Sequence, residues 1–130
     1  MQAQNGKYFT TIELNLVRLK TDKEKQRGLM GVKEIPLDRG VIMEYSTEDK
    51  RGIWMPNMRV KIDALFFDSS GKITALFRNL IPCKPQNPCP AFRAEKTQFI
   101  IETSPGFIDR HKITLNNTRL QLEERYLSDR

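Results

Sequence analysis

Long hydrophobic runs are missing from this 130-residue sequence. No stretch approaches the roughly 20 consecutive apolar residues that a membrane-spanning helix needs, so no transmembrane segment is predicted. The first residues, MQAQNGKYFTT, also lack the apolar core of a secretory signal. We therefore expect an exported or envelope protein if a leader has been removed, and a cytoplasmic protein otherwise.

Cysteine and histidine are scarce, with two cysteines and one histidine in the chain. A structural zinc site takes four nitrogen or sulfur ligands, so no metal site is predicted. Cys83 and Cys89 frame the segment CKPQNPC, which differs from the CxxC spacing of thioredoxin-like redox motifs. We expect a disulfide between them in an oxidising compartment and two thiols in a reducing one.

The residue patterns of common catalytic sites are missing as well. His111 follows Arg110 near the end of a candidate helix, where it would interact with the carbonyl dipoles. No serine or cysteine has an evident base beside it, and no glycine-rich phosphate loop occurs. The sequence therefore predicts no catalytic residue and no cofactor.

The composition that is present suits one soluble globular domain, with 38% hydrophobic and 29% charged residues. The net charge of +6 favours acidic partners, but basic and acidic residues alternate, as in KTDKEKQR. Such interleaving indicates a solvated surface, so binding of nucleic acid is not favoured. We expect the partner to be a protein or a small ligand, and the sequence leaves the oligomeric state open.

Local patterns predict mostly β-structure. Alternating apolar residues, strand-forming composition and turn residues indicate three strands and a hairpin. The strands are predicted within 8–20, 40–45 and 96–103, and the hairpin spans 59–80 around the turn SSG. The charged stretch 46–52 is predicted to be a loop. The proline-rich stretch 81–92 is expected to be irregular.

Two short helices are expected beside these strands. Thr21 and Asp22 are candidate N-caps, and Gly28 a candidate stop, for a helix of about two turns within 21–31. A second short helix is predicted within 105–114, and 119–127 fits either a strand or a helix. We expect one domain at 8–122, between a flexible N-terminus (1–7) and a C-terminal tail (123–130).

One acid and two polar residues stand out within apolar motifs. Asp63 lies either on an exposed strand face, paired with a neighbouring cation, or buried, accepting backbone N–H bonds from a loop such as 53–58. Arg27 and Asn57 either satisfy buried backbone groups or line a pocket. The candidate binding residues are Arg27, Trp54, Met55, Asn57 and Asp63.

The tryptophan and the methionines have two interpretations. Trp54 is interpreted first as a core anchor and second as a platform for a ligand. The methionines are interpreted first as core residues and second as thioether ligands of a soft copper ion. The methionines in question are Met30, Met43, Met55 and Met58.

Five motifs, in this order, resemble the DUF192 (UPF0127) family: KTDKEKQRGLMG, IPLDRGVIMEY, WMPNMRVKIDALFFDSSGKI, NLIPCKPQNPCPAF and ETSPGFIDRHKI. The resemblance covers roughly residues 10 to 120 and includes the family's RGLM, WMxN and cysteine-loop patterns. It implies a compact β-rich domain with short helices and no established reaction. With the strand patterns, we expect an α+β, β-rich fold: a compact, mostly antiparallel, small-barrel-like sheet with one or two short helices.

Three functions follow from these observations. The leading hypothesis is a non-enzymatic binding module with a shallow site near Trp54 and Asn57. The second is an enzyme of unassigned reaction that uses Asp63 or Asn57. The third is a weak binder of nucleic acid or of an anionic surface, which requires a contiguous basic face.

Overall fold

Strands account for most of the regular structure in the computed structural model, which describes residues 1–5, 8–84 and 88–129. The described part of the chain contains nine strands and two short α-helices. In chain order they are β1 (Gln2–Asn5), β2 (Tyr8–Thr11), β3 (Asn15–Leu19), α1 (Asp22–Arg27), β4 (Arg39–Ile53), β5 (Ile62–Phe67), β6 (Ile73–Leu80), β7 (Phe92–Thr103), α2 (Phe107–Arg110), β8 (Thr118–Arg119), a 3-10 helix (Glu124–Tyr126) and β9 (Leu127–Asp129).

The strands form two sheets. The main sheet has six strands in the order β6-β5-β7-β4-β3-β9, and the second has the order β2-β1-β8. Most neighbours are antiparallel, but β3 runs parallel to both β4 and β9. The expected α+β, β-rich class is therefore confirmed, and the main sheet is open and mixed. Neither α-helix among the described residues has the length and apolar composition of a membrane span.

Strand β5 is buried on both faces. It lies between β6 and β7, and all six of its residues are buried. Leu65 and Phe67 belong to one apolar core, while Ala64 and Phe66 belong to a second core on the opposite face. The interpretation that gave this strand an exposed face was therefore wrong, because both sides of the sheet are covered.

Asp63 lies within this buried strand and has no solvent-exposed surface. Its Oδ1 accepts the backbone N–H of Asn79 at 2.8 Å, and its Oδ2 accepts that of Ile108 at 2.8 Å. Asn79 has a φ of 51° and sits at a register shift between β5 and β6, where an extra residue leaves the ladder. Asp63 thus joins β5, β6 and α2. Both donors come from outside the loop 53–58 that the sequence suggested.

Helix α1 begins and ends as its sequence predicts. The Thr21 side chain accepts the N–H of Glu24, and the Glu24 side chain accepts the N–H of Thr21, which makes a capping box. Gly28 ends the helix with a φ of 49°. This turn carries Arg27 and Gly28 to the edge of the second core.

The charged stretch 46–52 is strand and not loop. Strand β4 continues through it to Ile53, and β7 begins at Phe92, so the two form a long antiparallel arm with register shifts near Asp49. Most of this stretch is exposed, so nothing selects apolar residues there. A strand without a buried face lacks the alternation that predicts strands.

Both ends of the described chain also take part in sheets. Strand β1, within the predicted flexible segment 1–7, pairs with β2 and β8. Strand β9, within the predicted tail 123–130, extends the edge of the main sheet along β3. Backbone hydrogen bonds to the edge of a neighbouring strand explain why these segments form strands although they have little apolar pattern.

Cys83 and Cys89 form a disulfide with a Cα–Cα distance of 5.7 Å. The N–H of Cys83 donates to the carbonyl of Met55 at 3.1 Å, which fastens the cysteine loop to the segment after β4. The middle of the predicted irregular stretch, 85–87, lies outside the described residues.

Asp63→Ala should lower the free energy of unfolding by about 3 kcal/mol, because one buried and one partly buried N–H group lose their acceptor. Urea denaturation of parent and variant measures this loss. The control is Asp38→Ala, at an exposed position, which should change stability by about 0.5 kcal/mol or less. Equal losses in both variants would contradict the anchoring role of Asp63.

Replacing both cysteines by serine should lower stability by about 2 kcal/mol, because the short covalent loop no longer restricts the unfolded chain. Thermal unfolding of the oxidised parent, the reduced parent and Cys83→Ser/Cys89→Ser tests this. The reduced parent should match the serine variant. A variant as stable as the oxidised parent would show that the disulfide contributes nothing to stability.

Candidate functional site

A cavity of about 230 Å³ opens between α1, the turn after it, and the ends of β4 and β7. We call it the Glu102 cavity. Its buried lining consists of Gly28, Leu29, Met43, Ile53 and Glu102, its half-buried lining of Lys25, Met30, Tyr45 and Met58, and its exposed lining of Asp22, Gln26, Arg27, Gly52 and Trp54. Charged groups therefore surround an interior that is mostly apolar.

Glu102 is the buried acid of this cavity. It lies on β7 opposite Val41 of β4 and Ala64 of β5, and it is only 4% exposed. Among the described residues, no hydrogen-bond donor or cation pairs with its carboxyl group. Burial alone raises the pKa of Glu102 to about 7. Near neutral pH the group therefore changes between a neutral donor and an anionic acceptor.

Gly28 keeps the space beside this carboxyl group open. A Cβ atom at residue 28 would lie 3.0 Å from Oε1 of Glu102 and 3.5 Å from Cε of Met43. The φ of 49° also favours glycine over any residue with a side chain. The end of helix α1 and the access to Glu102 thus depend on the same residue.

Two cations near the cavity are engaged with one aromatic ring. Nζ of Lys25 lies 4.1 Å, and Cζ of Arg51 lies 4.0 Å, from the centroid of the Tyr45 ring. Burial, with a contribution from Arg51, lowers the pKa of Lys25, and burial raises the pKa of Tyr45. Arg27, by contrast, is exposed, and no ion pair to its guanidinium occurs among the described residues.

Two of the five candidate binding residues line the cavity, namely Arg27 and Trp54. The first interpretation of Trp54, as a core anchor, was wrong: its residue is 53% exposed, whereas Met55 is 1% exposed. Trp54 follows the last residue of β4, and its two neighbours, Ile53 and Met55, are packed in the second core, so the extended chain turns Trp54 away from that core. The tryptophan thus forms a wall of the cavity.

Met55, Asn57 and Asp63 do not line the Glu102 cavity. Asn57 is exposed with a φ of 60°, and its carbonyl accepts the N–H of Gly31 at 3.3 Å. It therefore joins the segment after β4 to the turn after α1. Asp63 holds the fold together elsewhere, as described above.

Three of the four methionines considered above meet at this cavity. Met30, Met43 and Met58 line it, and Met55 is packed in the second core. Thioether side chains are flexible and polarizable, so they form adaptable walls. The sequence did not indicate that these residues, from three separate segments, share one surface.

Glu102 was missed in the sequence. The signal that was available is an acid placed directly after the apolar run FII in a predicted strand, at the start of the motif ETSPG. Acids within otherwise apolar strands are rarely fully buried unless they have a partner or a function.

The parent should lose stability as the pH rises, and Glu102→Gln should not show this loss. The pKa of Glu102 is about 7 in the folded protein against an ordinary value of 4.5, so the parent loses about 3 kcal/mol as pH rises from below 4.5 to above 7. Urea midpoints from pH 4 to 8.5 for parent and variant measure the difference. Glu95→Gln, exposed on the same strand, should follow the parent. Parallel profiles for parent and Glu102→Gln would contradict the assignment.

Two solved structures share this fold. One, described as a putative transcription regulator from Sinorhizobium meliloti 1021, superposes with a TM-score of 0.80 at 19% identity, covering 92% of this chain and 88% of that chain. The other, a protein of unknown function from Novosphingobium aromaticivorans DSM 12444, has a TM-score of 0.79 at 18% identity, covering 93% and 82%. At such identities the likeness shows the fold alone.

No curated protein matches the chain. A family model does match, over residues 1–121, and its description is DUF192, uncharacterized ACR, COG1430. That range includes every residue that lines the Glu102 cavity. Since the match covers nearly the whole sequence, the chain belongs to the DUF192 family.

Proposed function

We propose that this protein is a non-enzymatic binding module that holds a small ligand in the Glu102 cavity. The observation that carries the proposal is the carboxyl group of Glu102, which is buried, faces the cavity and has no partner among the described residues. Burying such a group without a hydrogen bond costs about 1–3 kcal/mol. A ligand that supplies the missing partner would recover this cost.

The size and lining of the cavity limit the ligand. Its volume of about 230 Å³ is below the roughly 300–1,000 Å³ of pockets for drug-sized molecules. At about 30 Å³ for each water molecule, it has room for roughly seven to eight non-hydrogen atoms. Trp54 and three methionines supply apolar surface. These features favour a small molecule with one apolar part and at least one polar head group.

The other two hypotheses gain no support from the geometry. The enzyme hypothesis relied on Asp63 and Asn57, and neither residue lines the cavity. Among the described residues that line the cavity there is also no serine, cysteine or histidine, three residue types often used as nucleophile or base. No observation favours nucleic acid or an anionic surface as the partner.

A screen of compounds with at most ten non-hydrogen atoms tests this proposal. The library should contain amine, carboxylate, amide and hydroxyl head groups, and backbone NMR shifts of the 15N-labelled protein report binding. We expect some compounds to shift the signals of Gly28, Met30 and the Trp54 indole. If none of the compounds shifts these signals, the proposed function is contradicted.

Gly28→Ala provides the specific variant for this test, because its Cβ would occupy the space beside Glu102. Gly31→Ala is the matched control: Gly31 also has a positive φ, of 78°, but a Cβ there meets nothing within 4 Å. Both changes introduce backbone strain of about 1–3 kcal/mol. Binding should be lost in Gly28→Ala and kept in Gly31→Ala. Equal binding by both variants would place the ligand elsewhere.

A further inference from the structure

We propose that the ligand of the Glu102 cavity is a small apolar α-amino acid in its zwitterionic form. In this arrangement Glu102 binds the ammonium group, Arg27 binds the carboxylate, and the apolar side chain packs against Trp54 and the methionines. The inference rests on the proposed function and names the chemical class of its ligand.

The ammonium group is assigned from the charges around Glu102. Its carboxylate is buried and unpaired among the described residues. The nearby cations Lys25 and Arg51 lie over the ring of Tyr45, and among the described residues neither forms an ion pair with Glu102. A buried carboxylate requires a cation or several hydrogen-bond donors, and an ammonium group of the ligand provides both.

The carboxylate is assigned from Arg27. This side chain lines the cavity, is exposed, and forms no ion pair among the described residues. A guanidinium group binds a carboxylate through two parallel hydrogen bonds. Arg27 precedes Gly28, whose Cα lies beside Oε1 of Glu102. The lining of one cavity thus offers both an acid and a cation, the two groups that the ammonium and carboxylate of an α-amino acid require.

The apolar side chain is assigned from the remaining lining. Leu29, Met43 and Ile53 are buried there, and Met58 and Trp54 complete the surface. The room for roughly seven to eight non-hydrogen atoms is close to the size of valine, leucine or methionine. Tryptophan, a much larger amino acid, would not fit.

Titration with three compounds of one shape tests the inference. These compounds are L-leucine, 4-methylpentanoate, which lacks the ammonium group, and 3-methylbutylamine, which lacks the carboxylate. Trp54 is the single tryptophan of the chain, so intrinsic tryptophan fluorescence reports binding at the cavity wall, and calorimetry gives the dissociation constants. At pH 8 we expect the dissociation constant of L-leucine to be at least about tenfold lower than that of either analogue. The loss of one charged hydrogen bond weakens binding by about this factor.

Two variants assign the head groups. Glu102→Gln should weaken L-leucine and 3-methylbutylamine about tenfold or more and leave 4-methylpentanoate unchanged. Arg27→Gln should weaken L-leucine and 4-methylpentanoate and leave the amine unchanged. The matched controls, Glu95→Gln and Arg59→Gln, are at exposed positions outside the cavity and should bind like the parent.

The outcomes separate the two proposals. If L-leucine binds no more tightly than its analogues, or if Glu102→Gln and Arg27→Gln leave its affinity unchanged, the zwitterion inference is wrong. Binding of an analogue alone, or of another small compound that shifts Gly28 and Trp54, would still support the binding function. If no compound of the screen occupies the cavity, both proposals are wrong.

Discussion

The carboxylate of Asp63 is the contact on which the arrangement of this domain depends. Its two oxygens accept N–H groups from β6 and α2, two elements that are separated in the chain by the whole of β7. The bulged N–H of Asn79 and the first-turn N–H of Ile108 have no ladder or helical acceptor of their own. One side chain therefore stabilises both irregularities and fixes α2 against the central strand, over the first of the two cores.

The two buried acids of the central strands, Asp63 and Glu102, differ in whether other groups satisfy their carboxyl oxygens. Asp63 pairs in register with Thr103, and the next residue, Ala64, pairs with Glu102, so the two acids point to opposite faces of the sheet. Asp63 lies at the core that contains Ile108, where both oxygens are satisfied. Glu102 faces the second core at the end of α1, where no group satisfies it among the described residues. A satisfied carboxylate stabilises a fold, whereas an unsatisfied one reduces stability and leaves a binding group ready.

The predictability of each element follows from how local its causes are. The N-cap of α1 at Thr21 and the hairpin of β5 and β6 depend on neighbouring residues, and the sequence predicted both. The exposed half of β4 has no buried face and so no alternation, and its charged residues were misinterpreted as a loop. The exposure of Trp54 and the burial of Glu102 depend on which strand lies beside which, and pattern within one strand does not carry that information. The family resemblance identified the motifs but not their meeting point.

The motifs meet at the Glu102 cavity, and this shared position gives them a common explanation. RGLM supplies Arg27, Gly28 and Met30; WMPNM supplies Trp54 and Met58; and ETSPG supplies Glu102. The hydrogen bond from Gly31 to Asn57 joins the first two segments, and β7 carries the third between β4 and β5. Motifs that served packing alone would place their side chains within the two cores. These motifs instead place around one opening a buried acid, an exposed tryptophan and an arginine that forms no ion pair within the described part of the chain, and this combination favours recognition of a ligand over a purely structural role.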